Sequence, residues 1–149
     1  MDQIVQQCLD AHNEYRRKHG VPPMVISESL MEMAQNWAQT NADQCQMFHS
    51  SGRGGIGENL YCASPSLTDG QTPVDNWYNE IQNYDFGNPG FSSATGHFTQ
   101  VVWKASTELG VGLAEGTDGW VYFCCNYSPA GNLMSDYEDN VFPLAEEDE

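Results

Sequence analysis

The stretch GHFTQVVW, Gly96 to Trp103, governs how the rest of the chain is read. Phe98, Val101, Val102 and Ala105 recur at helical spacing, which predicts a helix beginning near Thr95, finished by Gly110, with His97 in its first turn. Downstream the period shortens to that of a strand. Val111–Ala114 and Trp120–Tyr127 are candidate strands flanking Glu115–Gly119, where Asp118-Gly119 is a hairpin signal because glycine accepts the positive φ such turns need. The second strand runs into CNYSPAGN, Cys125 to Asn132, whose end has the composition of a turn. Ile56–Ala63 supplies a third candidate strand.

Upstream, Ile4, Val5, Cys8, Leu9 and Tyr15 mark a first helix that stops before Gly20 and Pro22-Pro23. Ser27 can cap a second helix with an inward face of Leu30, Met33, Ala34 and Trp37. Thr72 followed by Pro73 predicts the start of a third, striped by Val74, Trp77, Tyr78 and Ile81. Helices on both sides of the strand-rich region give an α+β class. A chain of 149 residues without repeats or linkers reads as one domain.

The formal charge of −16 sets 21 carboxylates against five basic side chains, so nucleic acid is excluded as a partner and binding to anionic membranes is expected to be weak or absent. Cations are favoured. Asp136–Glu149 holds seven acidic residues and no basic one, and reads as a solvated, frayed tail. No basic-then-apolar leader precedes Ile4, and no apolar run approaches the roughly 20 residues of a membrane span. Five cysteines permit at most two internal bridges, and Cys8 and Cys124 read as buried apolar fillers.

GHFTQVVW and CNYSPAGN together resemble the two signature motifs of the CAP superfamily, which embraces cysteine-rich secretory proteins, venom antigens and plant pathogenesis-related proteins. AHNEYRRKHGVPP at Ala11–Pro23, HSSGRGGIGENL at His49–Leu60 and NWYNEIQNYDF at Asn76–Phe86 match the family pattern in order, so the resemblance covers nearly the whole chain. It is nearest to the compact Golgi-associated plant-pathogenesis-related subgroup. The resemblance implies a three-layer α-β-α sandwich with a largely antiparallel central sheet, a CAP domain over residues 1–142 and an acidic C-terminal tail over 143–149. Cys125 matches the cysteine of the second motif. Secreted relatives carry further cysteines where this chain has Thr95 and Val111, which points to a reducing compartment. The expected location is cytoplasmic or Golgi-associated, with an extracellular one as the alternative if a leader has been removed. Subgroup acylation needs glycine at position 2, where Asp2 stands, so that anchor does not carry over.

The same resemblance implies that His49, Glu58, Glu80 and His97 converge in a cleft, with Asn59, Gln100 and Asn126 lining it. Two imidazoles with nearby carboxylates suit zinc or another divalent cation, His49 and His97 being the metal ligands. The dipole of a helix starting near Thr95 would favour the neutral form of His97. The expected function is binding without catalysis: a cation in the cleft and, as family members do, a sterol or other lipid, or a protein partner, with homodimer formation among the assemblies. Two alternatives stand beside it. One is a metal-dependent hydrolase or protease using Glu58 or Glu80 as general base, or a serine hydrolase with Ser50 or Ser51 activated by His97. The other is a purely structural His/Glu network in a protein-interaction module. Trp77, Trp103 and Trp120 read as core, and His12 and His19 as incidental.

Overall fold

Alternation along Val121–Ser128 sets the layers of the protein. Phe123, Cys125 and Tyr127 face one apolar cluster, while Tyr122 and Cys124 face another on the opposite side of the strand. The computed structural model describes residues 2–64 and 69–145. Its elements in chain order are α1 (Asp2–Lys18), β1 (Val25–Ile26), α2 (Glu28–Gln44), β2 (Gly57–Ala63), α3 (Gln71–Tyr78) with a following 3-10 turn (Asn79–Asn83), α4 (Gly96–Val101), β3 (Glu108–Glu115), β4 (Val121–Ser128) and α5 (Tyr137–Asn140). The sheet order is β1-β3-β4-β2. Residues of α1, α3 and α4 build the cluster on one face, and alanines of α2 build the other, which gives the expected α-β-α sandwich. β3, β4 and β2 are antiparallel; β1, too short to be predicted, pairs parallel with β3 through Val25 and Ile26 and makes the sheet mixed.

Two glycines let α2 lie close on the sheet. A Cβ on Gly110 would collide with the backbone of Leu30, and one on Gly112 with that of Ala34 and Gln35. Gly110 is therefore a packing glycine inside β3, and the predicted helix does not extend to it. α4 ends at Val101, and Ala105 is exposed. The reason is remote in sequence. Arg16 of α1, fully buried, donates from Nη1 to Val101 O at 3.0 Å and Trp103 O at 2.8 Å, and from Nη2 to Lys104 O at 3.3 Å. A cation thus satisfies the last carbonyl of α4 and two carbonyls of the turn that follows it. Burial pushes its guanidinium down to about 10, which leaves it charged at neutral pH.

Ser27 caps α2 as expected, accepting from Leu30 N at 3.3 Å. The inward face of that helix is Leu30, Ala34, Ala38 and Ala42; Met33 is exposed, since alanines are what the close approach to the sheet accommodates. Thr72 does not cap α3. Asp69 takes the amides of Gln71 at 2.9 Å and Thr72 at 2.7 Å, together with the Thr72 hydroxyl, so the helix starts earlier. The hairpin at Asp118-Gly119 forms with Gly119 at φ +84°, but Trp120 lies at its exposed end and not in the core. Trp77 and Trp103 are buried.

His12 and His19, expected to be incidental, are buried ties. His12 Nδ1 bonds Cys8 O at 2.8 Å and its Nε2 meets the Tyr127 hydroxyl at 2.8 Å; His19 bonds Phe142 O and the Tyr78 hydroxyl. The acidic end is also more ordered than its charge suggests. Tyr137, Asn140 and Val141 are buried, and Asn140 Oδ1 accepts from Ala105 N, so the chain is docked through Val141. Ala145 N still donates to Lys18 O at 2.8 Å. Residues 146–149 of the expected tail lie outside the described residues.

Candidate functional site

β2 is an edge strand, and two carboxylate-histidine pairs meet near its beginning from opposite faces of the sheet. Trp37 Nε1 and Asn41 Nδ2 of α2 both donate to Phe48 O, at 2.7 and 3.3 Å, which fixes the backbone immediately before His49. His49 Nδ1–H then donates to Glu58 Oε1 at 2.9 Å. The Glu58 side chain is 1% exposed and the His49 side chain 57%. Ser50 donates its amide to Oε1 at 3.0 Å and its hydroxyl to Oε2 at 2.6 Å; Arg53 Nη1 lies 3.2 Å from Oε1. Burial opposes the charge on Glu58, but the bonds from His49 and Ser50 and the Arg53 guanidinium outweigh it and hold the carboxyl below its ordinary value.

On the other face, Glu80 sits in the 3-10 turn after α3. Its Oε1 accepts from the amides of His97 and Phe98, both at 3.0 Å, and its Oε2 from His97 Nδ1–H at 2.8 Å. Thr95 makes no side-chain cap, so Glu80 caps α4 from a distant segment. The positive end of α4 thus faces the Glu80 carboxylate, which also holds the His97 imidazole. Trp77 stacks on His97 with ring planes 9° apart, packing it from the core side.

A carboxylate only accepts, so in both pairs the proton is on Nδ1. Nε2 of each imidazole has no hydrogen-bond partner among the described residues. A cavity of about 380 Å³ is lined by His49, Glu58, Asn59, His97 and Gln100 among others. Glu80 and Asn126 do not line it. Glu80 stands behind His97, and Asn126 stands under Glu58, donating to Gly57 O at 3.1 Å. Asn59 ties Tyr127 to His97 O, and Gln100 holds the turn after β4 by accepting from Gly131 N at 2.9 Å. Asn132, at the end of the turn that the family resemblance places at the cleft edge, also lines it, as do Arg53 and Phe91, which were not anticipated. Arg53 had one visible signal: it is a scarce cation placed in a glycine-rich loop of an acidic chain.

Neither glutamate is placed to complete a tetrahedral metal shell, since both are consumed in orienting histidines. No group of three or more His, Cys, Asp or Glu side chains among the described residues is arranged to hold a metal ion. The serine triad is not assembled either. Ser50 gives its hydroxyl proton to Glu58, while His97 pairs with Glu80.

The sequence profile of the cysteine-rich secretory protein family, CAP, matches residues 9–127. The chain belongs to the CAP family. This CAP domain is 46% identical over 145 residues to the human Golgi-associated plant pathogenesis-related protein 1, a match covering 95% of this chain and 94% of that protein. It is 43% identical over 146 residues to pathogenesis-related protein 1A1 of Solanum lycopersicum, covering 95% of this chain and 78% of that one. Among solved structures, NaASP2 with Zn2+ shares the fold at a TM-score of 0.78 and 24% identity, covering 98% of this chain and 88% of that chain. BmVAL-1 does so at 0.75 and 26%, covering 98% and 84%. Among the described residues no helix is long and apolar enough to cross a membrane.

Proposed function

We propose that this CAP domain works by binding and not by turnover, holding a divalent cation such as zinc between His49 and His97 and a sterol, other lipid or protein partner on apolar surface nearby. The observation that carries the cation reading is that each histidine has its Nδ1–H committed to a glutamate, which leaves the Nε2 lone pair of both rings for a ligand in one cleft. Carboxylate-oriented imidazole is how metal-binding histidines are ordinarily held. Two nitrogens are fewer than a closed zinc site requires, so water or a bound ligand would fill the remaining positions and the ion would be exchangeable. The NaASP2 structure, of the same fold, was determined with Zn2+.

Against the hydrolase alternative, Glu58 and Glu80 have both carboxylate oxygens engaged by hydrogen bonds, which leaves neither well placed to take a proton from a metal-bound water. A second observation favours an apolar ligand. Phe91 is 63% and Met134 86% exposed, and both line a cavity of about 550 Å³ with Pro89, Tyr137 and Glu138. The name of the human relative supports a Golgi-associated location for this domain.

Zinc titration of the melting temperature tests the cation reading. The midpoint should rise with the logarithm of zinc concentration, by roughly 5–10 °C at a hundredfold excess over Kd, and His97→Ala should abolish the rise. A flat response in wild type overturns it. Sterol capture should be saturable and should survive His49→Ala combined with His97→Ala; capture of nothing by folded protein removes the lipid reading and leaves the protein partner.

A further inference from the structure

The cleft chemistry leaves one pair of sulfurs unused. Cys8 on α1 and Cys125 on β4 are both 0% exposed, and their Sγ atoms face each other at 3.5 Å across the helix–sheet interface, 117 residues apart in sequence. The remaining thiols are spread elsewhere: Cys45 at the end of α2 beside Thr117, Cys62 on β2, and Cys124 on the face turned to α2. A chain with five free thiols thus brings two of them into direct contact at the centre of its larger core.

We propose that Cys8 and Cys125 form a disulfide when the protein folds in an oxidising environment, which makes the pair a modification site that staples α1 to β4. Disulfide bonding needs sulfurs at about 2.05 Å, so each must move by less than 1 Å, well within rotation about its own side-chain bonds. The reaction takes one low-molecular-weight disulfide as oxidant. Each protein thiol loses its proton, one sulfur attacks the small disulfide and expels a thiolate, and the second displaces the remaining small thiol. The products are Cys8–S–S–Cys125 and two reduced small thiols, two electrons having passed to the oxidant. Burial pushes the Cys125 thiol well up, and neither sulfur meets solvent, so the bond forms during folding or through transient opening of α1 and not by attack on the closed protein.

The staple lies beside the frame of the cleft. His12 Nδ1 is 3.7 Å from Cys8 Sγ, His12 Nε2 meets the Tyr127 hydroxyl, and Asn59 Nδ2 donates to both that hydroxyl and His97 O. Closing a 117-residue loop removes much of the freedom of the unfolded chain, and the melting temperature should rise on the order of 10 °C.

Full-length protein refolded with oxidised glutathione is compared with protein refolded in dithiothreitol. The expected result is a mass lower by about 2 Da, as two hydrogens leave. Peptide mapping after blocking free thiols should join Cys8 to Cys125, with a higher midpoint that dithiothreitol reverses after unfolding. Cys45→Ser combined with Cys62→Ser should leave all three readouts in place, while Cys8→Ala should remove them. If Cys8→Ala does not fold, the map of the wild-type protein decides alone. Five blockable thiols in the oxidised, folded protein, or a bridge that maps to any other pair, overturns the proposal.

Discussion

Removing the Glu80 carboxylate should separate what it does for the fold from what it does for the cleft. Glu80→Ala deletes three hydrogen bonds at once, two from amides at 3.0 Å and one from His97 Nδ1 at 2.8 Å. The loss of a helix cap costs about 1 kcal/mol, and the charge-assisted bond to the imidazole adds about 1.5 kcal/mol. The carboxylate is 20% exposed, so water replaces part of what is lost and the sum stays near 2 kcal/mol. In a domain of this size that lowers the melting temperature by roughly 4–8 °C. The cleft should suffer more. With no acceptor at Nδ1, His97 is free to change tautomer and to rotate, and loss of such an orienting partner weakens metal affinity by roughly 10–100-fold. Glu80→Gln is the informative control, because its amide oxygen can still cap α4 but cannot also serve as a charged acceptor for the imidazole. Guanidinium denaturation reads the first quantity and calorimetric zinc titration the second. Unchanged zinc affinity in folded Glu80→Ala would refute the orienting role, and a stability loss equal in the Ala and Gln variants would refute the division between cap and charge.

Two further outcomes follow from the described contacts. Glu58 has its carboxyl held below the ordinary value of 4.5, so its stabilisation is fully present above that value and is lost as pH falls through the lower folded one. The stability gap between wild type and Glu58→Gln, followed by urea denaturation, should therefore shrink as pH falls below about 4.5, and a gap unchanged by acidification would contradict the assignment. Gly112→Ala should cost about 3 kcal/mol, since the new methyl meets the backbone of Ala34 and Gln35 and α2 must lift from the sheet. A loss under about 1 kcal/mol would mean that the helix and sheet are not held so close.

The sequence was most legible where a local pattern and a tertiary role coincide. The strand pair around Asp118-Gly119 and the Ser27 cap needed only neighbouring residues, and both stand where they were expected. Reading failed where a remote side chain decides. α4 stops at Val101, and Arg16, 85 to 88 residues away, holds the carbonyl of Val101 and those of Trp103 and Lys104 beyond it, which nothing near Gly110 records. Gly110 shows the same ambiguity from the other side, because a glycine that ends a helix and a glycine that admits one look alike in one dimension. At the cleft, helical geometry put Glu80 at the edge of the buried stripe, but its function as cap and as orienting group depends on amides 17 and 18 residues later. The histidines were legible as residues and their tautomers were not, since these follow from which atom each glutamate reaches.

The two histidines belong to different layers of the sandwich. His49 is anchored through Phe48 to α2, whereas His97 rides on α4 and the core packed against the opposite face. Nothing covalent fixes the gap between them except the path of the chain around the free end of β2. Any ion shared by the two imidazoles would consequently be a rivet through a seam, and the gap it spans would register sliding of one layer over the other. Filling the cleft would then stiffen the sandwich as a whole, and a stiffer sandwich would hold the ion more tightly.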